Sequence, residues 1–282
     1  MKCFYHTDMD GKCSAAIVRK FYTPSFKPEY QKYIPINYKD DFPFGNIIRN
    51  ELVIIVDFSL QKDGDFEKLL GITKNVIWID HHKSAIKKHK HISKLVKGIQ
   101  REDPIAGCGL TWKYFFSDHT SVPKVVALLG DYDTWTFQYG DDSKYFQLGC
   151  KVEDTHPKSD TWGEWLSSDF DPNRVIENGK MIDVYEIRSN ESYVNGWGFF
   201  ADFEGYKAIC CNLGNTGSRL FESVTVPYDL MLAFIWDGNQ WTVSIYTEDG
   251  DIDCSKLAEK YGGGGHPGAA GFQTKKIAFQ KN

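Results

Sequence analysis

The sequence predicts an α/β protein: an N-terminal domain built on a mostly parallel sheet, followed by a smaller α+β domain. Three observations lead there. Two dense β-branched runs, "ELVIIVD" (Glu51–Asp57) and "VIWID" (Val76–Asp80), read as strands buried on both faces. Helical spacing alternates with these strands through the first half. After about Gly196 the pattern turns to successive strands and a hairpin.

The elements follow in order. "KCFY" (Lys2–Tyr5) is a short strand, and "GKCSAAIVRKFY" (Gly11–Tyr22) has helical apolar spacing. "YIPINY" (Tyr33–Tyr38) is a strand that Pro35 confines to an edge. "DFEKLLG" is a crossover helix, and "AGCGLTWKYFF" and "PKVVALLG" are two more helices. A less regular stretch leads into "NRVIENGKMIDVYEIRSNES", read as a connector helix. "YKAICCNL", "YDLMLAFIWDG" and "QWTVSIYT" are strands, the last two a hairpin turning at Asp237–Gly238–Asn239. "SKLAEKYGGGGHPGAAGF" is a short helix that breaks into a glycine loop. The expected division is residues 1–155, a connector over 156–195, and residues 196–282. A chain of 282 residues accommodates two domains.

Composition narrows the function classes. Net charge is −5, which argues against a broad electrostatic grip on long nucleic acid. The seven cysteines form no C-x-x-C pair and no zinc or disulfide framework, so buried free thiols in a reducing cytoplasm are expected. The N-terminus shows no signal-peptide pattern, and no apolar run reaches membrane-spanning length.

Four predicted elements end in metal-type ligands. "YHTDMDG" supplies His6, Asp8 and Asp10; "IIVDFS" supplies Asp57; "WIDHHK" supplies Asp80, His81 and His82; "LLGDYDTW" supplies Asp131 and Asp133. Ligands of open α/β sheets bind at the carboxyl ends of the strands. Isolated strand-end aspartates are usually caps, and lone histidines usually surface or core; Asp63, Asp65, Asp118, His119, His89, His91 and His156 get that reading. Carboxylates gathered from four segments repel one another unless cations compensate. Oxygen with minority imidazole and no thiolate suits Mn²⁺ or Mg²⁺ rather than structural zinc. So many ligands suit two metals sharing a carboxylate.

These motifs resemble the DHH phosphoesterase superfamily, specifically its oligoribonuclease-like branch. "HTDMDG", "VDFS", "DHH" and "GDYDTW" look like its four N-terminal motifs, and "GGGGHPGAAGF" (Gly262–Phe272) like the signature of its associated C-terminal domain. The resemblance implies an enzyme with an active site in the cleft between the domains and two Mn²⁺, with Mg²⁺ or Co²⁺ as alternatives. His6, Asp8, Asp10, Asp57, His81 and Asp131 would be metal ligands, Asp57 the bridge. His82 would face the substrate phosphate and Asp80 would orient a histidine. Gly263, Gly264, Gly265 and His266 would bind substrate anions. Lys83 heads a stretch, His81–Gly98, with six lysines and no acid, and would attract them; otherwise that stretch is a solvated face. Relatives carry an arginine where this chain has Tyr246, which puts Arg219 forward as a replacement clamp. Tyr132 and Trp135 are either core or a surface on which a base could stack.

The resemblance implies hydrolysis of short oligonucleotides or linear dinucleotides to nucleoside monophosphates, and of adenosine 3′,5′-bisphosphate. It allows a homodimer and calls for no membrane. Inorganic pyrophosphatase, single-strand exonuclease and non-catalytic nucleotide binding are the alternatives.

Overall fold

The computed structural model describes residues 1–101, 104–117 and 121–281. Asp118 and His119 lie outside the described residues. The chain divides into two compact units, Met1–Ile182 and Asp183–Asn282.

The first unit runs β1 (Lys2–His6), α1 (Met9–Tyr22), β2 (Lys32–Ile36), β3 (Val53–Val56), α2 (Asp65–Ile72), β4 (Val76–Ile79), α3 (Lys83–Lys88), α4 (Gly107–Phe116), α5 (Lys124–Asp133), α6 (Asp141–Gly149) and α7 (Thr161–Trp165). α8 (Asn173–Trp197) crosses the boundary into the second unit. The four strands are all parallel in the order β2-β1-β3-β4. Every residue of β3 and β4 is buried, which is why both read as unbroken apolar runs. β2 takes the edge, where Pro35 needs no second ladder partner. Residues 97–101 add parallel bridges to the free side of β4, with Trp78 N–H donating to Lys97 O and Asp80 N–H to Ile99 O.

Because β1, β3 and β4 run the same way, His6, Asp57 and Asp80 emerge at one edge of the sheet. Two apolar layers pin that edge. Phe4, Ile55, Trp78, Phe66 and Leu69 pack on one face; Tyr5, Ile54, Ile79, Val18 and Leu110 pack on the other. A further cluster joins α1, α4, α5 and α6 to Trp162, Trp165, Phe170, Val175 and Ile176. Residues 156–182 therefore pack with the first unit, and its boundary falls at Ile182 rather than near residue 155.

The second unit continues with β5 (Phe199–Phe203), β6 (Tyr206–Cys211), β7 (Leu230–Trp236), β8 (Trp241–Tyr246), α9 (Cys254–Glu259), β9 (Gly264–His266) and β10 (Ala269–Thr274). Its sheet order is β5-β6-β7-β8-β10-β9, antiparallel except for the β6–β7 pair. Residues alternate between faces: Ala208, Leu232 and Ile245 meet α9, while Ile209 and Met231 meet Leu220 and Val194. The β7–β8 hairpin turns where expected. Asp237 accepts the N–H groups of Asn239 and Gln240, and Gly238 takes φ +96°. All seven cysteines are free and buried. No helix among the described residues is long and apolar enough to cross a membrane.

Helices α6 and α8 cross with almost no gap. A Cβ on Gly179 would lie 1.7 Å from the backbone oxygen of Tyr145. Alanine at a helix interior gains about 1 kcal/mol of propensity over glycine, but overpacking costs about 1–3 kcal/mol, more when backbone must move. Gly179→Ala is expected to lower the thermal unfolding midpoint by several degrees, the reverse of what propensity alone gives; a rise would show that the crossing yields freely.

Candidate metal centre

Each ligand-type side chain is placed by a local feature of the chain. Asp8 caps α1: its Oδ1 accepts the Gly11 N–H at 2.9 Å, and its Oδ2 lies 2.5 Å from His6 Nδ1. Gly11 is required there, since a Cβ would meet the His6 backbone oxygen at 2.1 Å. Asp10, in the first turn of α1, reaches the N-terminus of α4. Its Oδ2 accepts from Gly107 N–H at 2.7 Å and its Oδ1 from Cys108 N–H at 2.6 Å. A helix N-terminus is a favourable place for a carboxylate. Asp57 follows β3 with a left-handed backbone, φ +51°, uncommon outside glycine and costly unless the surroundings hold it.

Asp57 is 1 % exposed, and among the described residues neither of its carboxylate oxygens has a hydrogen-bond partner. Around it stand His81 Nε2 at 3.3 Å, His82 Nδ1 at 3.9 Å and His6 Nδ1 at 3.9 Å. His81 Nε2 also lies 3.4 Å from Asp133 Oδ2 and 3.7 Å from Asp10 Oδ2, yet it too is buried without a hydrogen-bond partner among the described residues. Three sets of ligand atoms fall within 4.8 Å of one another: Asp57, His81 and His82; His6, Asp8 and Asp57; Asp10, His81 and Asp133. The last two sets share no residue.

The electrostatics follow from this crowding. Burial, then the charges of Asp10, Asp8, Asp133 and Asp80, push the Asp57 carboxyl well above the usual carboxylate range. Burial, with Asp10 and Asp8 adding, pushes Asp133 up to about 8. Burial holds His81 below its ordinary value despite Asp10, with His82 adding to the depression. Burial also opposes charge on His82, but the hydrogen bond to Asp80 and the charges of Asp80, Asp133 and Asp10 leave it raised. Asp8 is lowered, since the pairing with His6 outweighs burial.

Residues 3–129 match the family described as "DHH family, N-terminal domain". The chain carries a DHH-family domain. An uncharacterized protein, R106 of Acanthamoeba polyphaga mimivirus, is 24 % identical over 95 % of this chain. The oligoribonuclease NrnB of Bacillus subtilis is 21 % identical over 98 %. The chain spans 66 % of the length of the first and 73 % of the second. Among solved structures, the DHH domain of PF0399, a member of the s1p family of ribosomal proteins, aligns over 97 % of this chain and 82 % of its own with TM-score 0.60 and 14 % identity. The pGpG-specific phosphodiesterase PggH of Vibrio cholerae aligns over 97 % and 93 % with TM-score 0.55 and 12 % identity. An exonuclease RecJ bound to manganese aligns over 97 % and 85 % with TM-score 0.52 and 14 % identity. At these identities the likeness is one of fold.

Within the DHH triplet, Asp80 serves the second histidine. Its buried Oδ1 accepts from the His82 N–H at 3.1 Å and pairs with His82 Nδ1 at 2.7 Å. His82 Nε2 meets the Tyr38 hydroxyl at 3.0 Å. Tyr38, which stacks on Phe58 and adjoins the His6 ring, was not singled out from sequence; its place just past the edge strand was the available signal. Lys83 opens α3 directly after His82 and is exposed.

Three expectations need correction. Asp131 does not join the cluster. Its carboxylate accepts from Thr136 Oγ1 at 2.6 Å, Gln138 N–H at 2.7 Å, Tyr139 N–H at 3.1 Å and the Ser143 hydroxyl. These bonds, led by Ser143 and Thr136, outweigh burial and hold it below the usual range. Asp133 stands in its place. Arg219 is not a free clamp, because Asp183, Glu186 and Glu222 surround its guanidinium. At the position where relatives carry an arginine, the Tyr246 hydroxyl donates to Thr216 O at 2.9 Å. Half of the glycine run, Gly264 and Gly265, is strand. Gly264–His266 pairs antiparallel with Ala269–Gly271, and a Cβ on Gly263 or Gly265 would strike β10 at 2.1 or 2.5 Å. Gly264 has open space around it, and His266 is exposed.

Two outcomes test this geometry. A carboxyl whose folded value is raised binds protons more readily when folded, so its contribution is lost as pH rises above the unfolded value of about 4. Without divalent metal, the Asp57→Asn variant should unfold at a higher temperature than the native chain. Its margin should widen from pH 5 to pH 8, and Mn²⁺ should reverse the ranking. Asparagine also tolerates the left-handed backbone. Titration calorimetry with Mn²⁺ separates the neighbouring acids: Asp133→Asn should weaken binding by about 100-fold or more, whereas Asp131→Asn should lower the unfolding midpoint and leave Mn²⁺ affinity nearly intact.

Proposed function

We propose that this protein is a metal-dependent phosphodiesterase that hydrolyses short oligonucleotides or linear dinucleotides to nucleoside monophosphates, and acts also on adenosine 3′,5′-bisphosphate. The observation that carries the reading is Asp57, a fully buried carboxylate that belongs to two of the ligand sets and whose two oxygens have no hydrogen-bond partner among the described residues. A charge in that position needs cations. The donors fit two hard divalent ions: His6, Asp8 and Asp57 for one, Asp10, His81 and Asp133 for the other, with Asp57 shared. Such ions, Mn²⁺ by preference, would polarise the phosphoryl oxygens and activate water.

The chain's own residues supply positioning. Asp80 fixes the His82 ring through Nδ1, and the raised proton affinity of His82 suits it to meet an anionic phosphoryl oxygen once Nε2 is released from Tyr38. Lys83 adds positive charge beside it. Gly264 and His266, on the second unit, are the remaining candidates for an anion contact. Similarity to NrnB, named as an oligoribonuclease, supports the substrate class. The pGpG-specific phosphodiesterase of similar fold supports dinucleotides within it. Seven free thiols suit a reducing cytoplasm.

With net charge −5 and the lysines after the DHH triplet confined to residues 83–97, long strands gain no extended track. The expected kcat/KM with Mn²⁺ is highest for about two to five nucleotides and falls toward long strands, with a shallow salt dependence. Asp57→Asn should lose about 10³-fold or more in kcat. A single-stranded ladder up to about twenty-four nucleotides at two salt concentrations checks this, with pyrophosphate as a comparison substrate. Efficiency that rises on the longest strands, or turnover confined to pyrophosphate, would overturn the proposal.

A further inference from the structure

The loop after the last helix-borne ligand is built for something the metal cluster does not use. Asp131 is 6 % exposed, and its carboxylate is wholly occupied by Thr136, Gln138, Tyr139 and Ser143. What those bonds hold is a chain segment in which Trp135 and Phe137 both adopt left-handed backbone, φ +57° and +47°. Bulky side chains rarely do so, and such outliers persist where the surroundings impose them. The result is an aromatic group at the surface. Trp135 is 67 % exposed, with its ring 4.8 Å from Phe137 and 5.3 Å from Tyr132, both edge-on. Edge-on neighbours brace an indole while leaving a face open. Asp133 lies two residues away, so the Trp135 Cα is within about 7 Å of that of a cluster residue.

We infer that Trp135, braced by Phe137 and set by the Asp131 carboxylate, is a stacking platform for a nucleobase of the substrate and makes this site selective for base-bearing phosphodiesters. The inference rests on the phosphodiesterase reading and names what that site recognises. Aromatic faces accept any base, so the platform confers affinity for nucleotides without strong sequence preference. It also gives the helix end a division of labour: Asp133 turns to the cluster, and Asp131 turns to the loop that receives the base. A second copy of the chain or a protein partner is the other occupant an exposed indole could serve, and the test separates them.

The test uses the full chain with Mn²⁺ and three forms: native, Trp135→Asn and Trp135→Phe. Asparagine accepts the left-handed backbone, so that variant should fold with an unchanged or higher unfolding midpoint. The substrates are a 5′-phosphorylated dinucleotide and its analogue with one abasic residue. Trp135→Asn should raise KM about 10–100-fold on the base-bearing substrate and far less on the abasic one. Trp135→Phe should restore most of the difference. Equilibrium dialysis of AMP against ribose 5-phosphate provides a readout without turnover, and Trp135→Asn should weaken only AMP. Equal losses on both substrates, a lowered unfolding midpoint, or a changed oligomeric state in size-exclusion chromatography would overturn the platform. If the native protein cleaves no dinucleotide at all, the phosphodiesterase reading fails, and the dialysis still decides whether Trp135 holds a base.

Discussion

Like charges crowded at one buried sheet edge govern the rest of this structure. Asp8, Asp10, Asp57, Asp80 and Asp133 converge there, and each is compensated to a different degree. Asp10 takes two N–H groups from a helix terminus, Asp80 holds His82, and Asp8 pairs with His6 and Gly11. The Asp57 carboxylate has no hydrogen-bond partner among the described residues. Compensation thus runs out toward the middle of the cluster, where burial and neighbouring carboxylates raise the Asp57 carboxyl and where groups that could hold a metal ion crowd together.

The scaffold serves that convergence. Parallel pairing delivers three strand ends to one edge, and both faces of the sheet are filled so the ends cannot drift. Glycine admits the helices close enough to contribute. Gly11 lets α1 start against the end of β1, and Gly107 sits where a Cβ would crowd Asp57 and Asp10 at 2.8 and 2.9 Å. Neither glycine is a flexible point. Each fixes how near a carboxylate can come to its neighbours.

Much of this was legible in the sequence, because strands buried on both faces and a hairpin with its turn residues leave plain patterns. Pro35 at an edge and the ligand-rich strand ends belong to the same class. What was not legible depends on rotation and on long-range pairing. Asp131 and Asp133 are two residues apart on one helix, about 200° around its axis, so only one can face the cluster, and spacing does not say which. Arg219 looked free because its three acidic partners lie up to 36 residues away in sequence. The glycine run reads as an open loop because its tight passage against β10 is a tertiary fact. Tyr38 had no motif to mark it; it was found only where it touches His82.

The seat of Asp10 on the first turn of α4 has a consequence for biogenesis. Two backbone N–H groups already offset that carboxylate, and the histidine pairings of Asp8 and Asp80 are likewise internal to the chain. Among the described residues only the core of the cluster, the Asp57 carboxylate and His81 Nε2, is left without a hydrogen-bond partner. Most of the cluster's carboxylates are thus met from within the chain, so the polypeptide can reach its tertiary structure whether or not the core of the cluster is occupied.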